Sequence, residues 1–148
     1  MKIKELIERT LKYFDCEITG SFKFHLLGLL EKYNDIDIIT TSEEKSKIIE
    51  FIKDFGFYQA YETEYQKACS DRFSYVHKWR ESDIEKAKNN KVYFDYFTNG
   101  KEQIHFIIVN KVEKINDYDI IGGMYKRGTK KDYENIIEIC KKQLGKTD

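Results

Sequence analysis

The chain has 148 residues, 41% hydrophobic and 35% charged, with Lys+Arg and Asp+Glu both at 26. That size and composition give a single globular domain over residues 1–148 with a real core, and exclude a disordered chain. The balanced charge argues against an overall electrostatic grip on nucleic acid, and no apolar run is long enough to span a membrane.

Ile3, Leu6, Ile7, Thr10, Leu11 and Phe14 recur at helical spacing and predict a first amphipathic helix. This start lacks a signal-peptide core. Cys16-Glu17-Ile18-Thr19 reads as a short strand that ends at Gly20. A helix is expected over 22–33, with Phe22, Leu26, Leu27, Leu29, Leu30 and Tyr33 as its apolar positions. A strand follows over 35–40. Thr41 and Glu44 form a capping box for a helix carrying Ile48, Ile49, Ile52 and Phe55, closed by Gly56.

Residues 57–80 have little clear period and many aromatics, among them Tyr58, Tyr61, Tyr65, Phe73, Tyr75 and Trp79. They read as one or two strands with loops. The rings serve core packing or offer a platform for a nucleobase or an RNA acceptor. Ser82 and Glu85 suggest a short helix over 83–88. The strands 91–98 and 101–109 around Asn99-Gly100 predict a β-hairpin with a type I′ turn. A short helix over 119–126 ends at Gly128. Thr129 opens a last helix with Tyr133, Ile136, Ile137, Cys140 and Leu144 on one face.

The three cysteines, Cys16, Cys69 and Cys140, are scattered. They fit reduced thiols in a cytoplasm and no zinc spacing. Of the three histidines, His25 lies one turn into the helix after Gly20-Ser21, where it faces the site or serves a surface or packing role, and His77 and His105 read as ordinary strand residues.

Asp35 and Asp37 stand two apart in an apolar run, so a strand projects both to one side while Ile36 and Ile38 enter the core. Paired carboxylates repel unless a cation lies between them. Mg²⁺ commonly takes one or two carboxylates plus substrate phosphates. An edge strand with a solvated polar face is the plainer alternative. Upstream, strand, Gly20-Ser21 and helix form a layout for phosphate, because glycine admits close approach and a helix start offers N–H groups. The plainer alternative there is a Ser-capped turn. Asp95 sits in Val92-Tyr93-Phe94-Asp95-Tyr96-Phe97, where an unpaired carboxylate is expensive. A surface or hairpin Asp is its alternative, and Glu102 is a weaker candidate. Lys126, Arg127, Lys130 and Lys131 make a basic stretch broken by Asp132. It reads as a phosphate contact or as a solvated helix start.

Gly20-Ser21, thirteen residues, then Asp35-Ile36-Asp37-Ile38 resembles the nucleotidyltransferase superfamily related to DNA polymerase beta. Arg127 with Lys131-Asp132 also resembles the C-terminal motif of AbiE-type toxin nucleotidyltransferases. Thr19 stands where many members carry a first glycine. The resemblance implies an α/β (α+β) fold, a mixed sheet with the acids on one face and helices packed on the other. It implies that Asp35, Asp37 and Asp95 hold Mg²⁺ or Mn²⁺ and carry catalysis. Gly20, Ser21 and Lys131 would hold the triphosphate of an NTP, with Asp132 orienting Lys131. The implied reaction moves an NMP to a hydroxyl acceptor (a small molecule, an RNA end or a protein) and releases pyrophosphate. The short chain leaves little room for an acceptor domain, so a homodimer or a partner protein is expected to complete the pocket. The rival expectation is a non-catalytic protein of the same fold, such as an antitoxin-like subunit.

Overall fold

The computed structural model describes residues 1–33, 35–59 and 96–147. The aromatic-rich stretch from 60, the helix expected at 83–88, the start of the expected hairpin strand and Asp95 lie outside these residues.

The described chain is mixed α+β, with five helices and a five-stranded mixed sheet. Its elements are α1 (Ile3–Tyr13), β1 (Cys16–Thr19), α2 (Ser21–Leu26), β2 (Ile36–Thr40) and α3 (Ser42–Lys53). After them come β3 (Tyr58–Gln59), β4 (Tyr96–Thr98), β5 (Gln103–Ile108), α4 (Asp117–Arg127) and α5 (Lys130–Thr147). The strand order is β1-β2-β5-β4-β3. β2 runs antiparallel to β1, with Thr19 level with Asp37, and parallel to β5, with Asp37 level with His105.

Alternation along the strands sends Ile18, Ile36, Ile38, Ile104 and Phe106 to one face. There they pack with Leu6 and Ile7 of α1, Phe22 of α2, and Ile48 and Ile52 of α3. The other face carries Asp37, Ile39, His105 and Ile107, all half-buried. Thr41 caps α3 by accepting from the Glu44 N–H at 3.3 Å, as the capping-box spacing predicts. The Glu44 carboxylate does not return the bond to Thr41. It accepts from the Asp15 N–H at 2.9 Å and so ties α3 to the start of β1.

Three boundaries differ from the sequence expectation. The helix expected over 22–33 stops at Leu26. Gly28 takes φ +76, its N–H donates to His25 O, and the Leu29 N–H donates to Phe24 O at 2.8 Å. That is a Schellman closure, with glycine in the left-handed position and its flanking apolar residues, Phe24 and Leu29, in one cluster. Asn99-Gly100 is not a two-residue turn either, because Thr98 pairs with Gln103. The Asn99 side chain accepts from the Lys101 and Glu102 N–H groups, and Thr98 Oγ1 accepts from the Gly100 N–H. These side-chain bonds satisfy a longer loop.

The third difference is the face that α5 buries. Asp132, Asn135 and Ile139 are buried, while Ile137 and Leu144 are 53% and 69% exposed. Ile139 joins Phe24, Leu29, Leu30, Ile120 and Met124 in a second, smaller core. Asp132 is buried because it completes the helix cap. It accepts from Thr129 Oγ1 at 2.7 Å and from Arg127 at 2.9 Å, and its own N–H donates back to Thr129. This reciprocal pair holds the first turn of α5 against the left-handed Gly128 that ends α4.

Candidate functional site

β1 ends at Thr19, beside Asp37, and the chain turns there into α2. The turn needs Gly20, whose φ of +75° and ψ of −165° suit almost no other residue. A side chain there would also crowd the Asp37 carboxylate. A Cβ on Gly20 would lie 2.9 Å from Asp37 Oδ2, closer than real contacts allow. The two halves of the glycine and carboxylate motif, far apart in sequence, therefore meet at one point of the fold.

Ser21 follows as the first residue of α2 and is buried. α2 has only 6 residues, so its dipole is correspondingly weak. Asp35 lies one residue ahead of β2 and is only 7% exposed. Asp37 is half-buried, with His105 Nδ1 3.5 Å from its Oδ1. His105 comes from β5, the strand that lies against β2. The strand that opens just after Asp95, β4, is separated from β2 by β5. At the position level with Asp37, the neighbouring strand offers an imidazole.

Gln103 is the second residue that sequence reasoning passed over. It precedes Ile104, the partner of Ile36, just as Asp35 precedes Ile36. It is 8% exposed, and its Oε1 is buried without a hydrogen-bond partner among the described residues. An orphaned buried carbonyl oxygen costs about 1–3 kcal/mol, so it calls for a donor or a cation. Both residues were visible in the alternation of 103–108, which sends Gln103 and His105 away from Ile104 and Phe106. What the sequence could not show is that this strand lies beside β2.

Buried Asp35, half-buried Asp37 and the Gln103 amide oxygen, on or beside neighbouring strands, offer hard-oxygen donors, which suit Mg²⁺ or Mn²⁺ over softer metals. Among the described residues, no three His, Cys, Asp or Glu side chains converge on one metal position. Glu102 does not add to the set. Its carboxylate is buried, with the Tyr33 hydroxyl 2.8 Å from both oxygens. A cleft of about 540 Å³ opens beside that pair, lined by Lys2, Lys4 and Lys101 as well as Glu102. Its three lysines against one carboxylate make it a poor home for a cation.

Lys131 lies in the first turn of α5 and is half-buried. Its charge acts on Glu138 of the same helix. Burial works against the Glu138 carboxylate, but the Glu31 N–H, Lys142 and Lys131 outweigh it and hold its pKa below the usual glutamate value. Asp132 is engaged by Thr129 and Arg127 and not by Lys131. His25 is a packing residue. Its Nδ1 lies 2.9 Å from Leu30 O, and its ring sits beside Phe22 and Tyr33.

The thiols offer no alternative chemistry near β1. Burial, helped by Glu17, Asp15 and Glu44, pushes the Cys16 thiol up to about 12, so it is not a nucleophile at neutral pH. No helix among the described residues is long and apolar enough to cross a membrane. Comparison with family models, with curated proteins and with solved structures finds no match for this chain.

Proposed function

We propose that this chain is a divalent-cation-dependent nucleotidyltransferase that moves an NMP from an NTP to a hydroxyl acceptor. The observation that carries the reading is the contact of Gly20 with Asp37. The positive φ there favours glycine, and the turn lies so near the carboxylate strand that a Cβ would meet Asp37 Oδ2 at 2.9 Å. A turn that merely reversed the chain would not need so close an approach.

Asp35 and Asp37 would hold Mg²⁺ or Mn²⁺, with Gln103 Oε1 as a neutral oxygen donor. When bound, such a cation neutralises triphosphate charge and lowers the pKa of an acceptor hydroxyl. The bare backbone at Gly20 admits a phosphate oxygen close to the main chain, and Ser21 adds a hydroxyl there. Asp95 keeps the role of third carboxylate that the resemblance implies. Lys131 keeps the triphosphate role on the resemblance alone. The acceptor is a small molecule, an RNA end or a protein hydroxyl.

The test is incubation of the full chain with α-labelled NTPs, magnesium and the three acceptor classes. Label transfer is expected, and it is expected to vanish in Asp35→Asn and Asp37→Asn. No transfer, with no magnesium-dependent thermal shift from any of the four NTPs, would sink the reading. A second reading has its own observation. His105 stands where the strand beside β2 comes level with Asp37, and no third acid joins the pair among the described residues. A non-catalytic protein that binds a nucleotide with this site fits that arrangement. It predicts a magnesium-dependent shift without label transfer.

A further inference from the structure

α5 presents two different faces. One is buried through Asp132, Asn135, Ile136 and Ile139. The other carries Tyr133, Ile137, Cys140 and Leu144, all exposed. These four recur at alternating steps of four and three residues, which is the spacing of a coiled-coil seam. Tyr125 of α4, itself exposed, sets its ring edge-on to Tyr133 at 6.0 Å and widens the apolar surface. Isolated exposed apolar residues are ordinary, but an aligned stripe on one helix marks an interaction surface.

The charges beside the stripe favour one occupant. Glu134 and Lys141 are both exposed and lie along the same flank, seven positions apart. Two copies of α5 laid antiparallel, with Ile137 opposite Cys140 and Tyr133 opposite Leu144, bring Glu134 of each copy beside Lys141 of the other. A two-fold axis makes that contact twice. A parallel pairing sets Lys141 near Ile136 and forms no ion pair across the seam. The antiparallel arrangement also opposes the two helix dipoles favourably. We infer that this face of α5 is the interface of an antiparallel homodimer. The inference does not depend on the nucleotidyl transfer reading.

The test is the mass of the full chain by light scattering from micromolar to millimolar concentration. The expected result is a monomer of 17.8 kDa on dilution that doubles in mass on concentration. Glu134→Lys and Lys141→Glu each turn both cross-copy pairs repulsive and should raise the midpoint concentration roughly tenfold. The double reversal Glu134→Lys with Lys141→Glu should restore it, and Ile137→Asp should abolish the dimer. Because these side chains are exposed, thermal melts of the dilute variants should match the parent, which separates lost assembly from lost folding. A wild-type chain monomeric throughout would overturn the proposal. So would a dimer whose midpoint ignores Ile137→Asp, or single reversals that the double reversal fails to rescue.

Discussion

The sheet core and the helix-pair core follow different rules in one short chain. In the first, burial tracks hydrophobicity closely. Ile7, Ile36, Ile38, Ile48, Ile52 and Ile104 are fully enclosed, and the strands alternate as an amphipathic sheet should. In the second, α5 buries Asp132 and Asn135 and leaves Ile137 and Leu144 outside. A small core tolerates the Asp132 carboxylate because that group is bonded. Both Asp132 oxygens are occupied, by Arg127 and Thr129. The sheet half is built to close on itself. The helix half is built on caps and keeps an apolar surface for something else.

Substitutions separate the two halves by size of effect. The largest is expected from Ile38→Ala in the sheet core, a loss of about 3 kcal/mol in chemical denaturation. An effect near zero would mean the sheet core is looser than it looks. Gly20→Ala should cost about 2 kcal/mol, from backbone strain together with the clash at Asp37. The same variant should lose any magnesium-dependent thermal shift with NTP. Asp132→Ala removes a reciprocal cap and should cost about 1 kcal/mol, read as a lower denaturation midpoint. A neutral result there would say that the cap does not hold the helix half.

The smallest effect belongs to Glu138, whose carboxylate accepts from the Glu31 N–H at 2.7 Å and joins α5 to the segment after α2. Its folded pKa is held below the ordinary value, so its contribution is present at neutral pH. It fades as acid protonates the folded carboxylate, below an unfolded pKa of about 4.3. The group is partly solvated, so Glu138→Gln should cost only a few tenths of a kcal/mol at pH 7. The difference between variant and parent should shrink toward acid pH. A difference that grows in acid would reverse the assignment.

The same division explains what could be read from residues alone. α1, β1, β2 and α3 were legible because each is amphipathic with its apolar side toward the core that encloses it. The Gly20 and Asp37 encounter was legible through the glycine turn and the Asp-Ile-Asp spacing together. α2 was overextended because Leu29 and Leu30 continue a helical rhythm past Gly28, while the chain uses that glycine to stop. On α5, periodicity grouped Tyr133, Ile136, Ile137, Cys140 and Leu144 on one face, and the fold packs Ile136 inward but leaves the other four outside. Apolar spacing reports a surface that wants cover, and it does not say whether the cover comes from the same molecule. Gln103 and His105 were missed for another reason. Parallel pairing of β2 with β5 joins distant segments, and no local pattern encodes that adjacency.

α2 behaves as a rivet between the two cores. Phe22 and Phe24 lie about 200° apart around its axis, the first fastened in the sheet core and the second in the helix-pair core. Lys23, between them, reaches Ile115 O at 3.1 Å and Asp117 at 2.8 Å, pinning the start of α4. So short a helix cannot turn about its axis without unseating one aromatic ring. Gly20 and Ser21 sit at the head of that rivet, and their position beside Asp37 is clamped from both sides. Loosening either core should therefore disturb the same carboxylate, even from a substitution that never touches it.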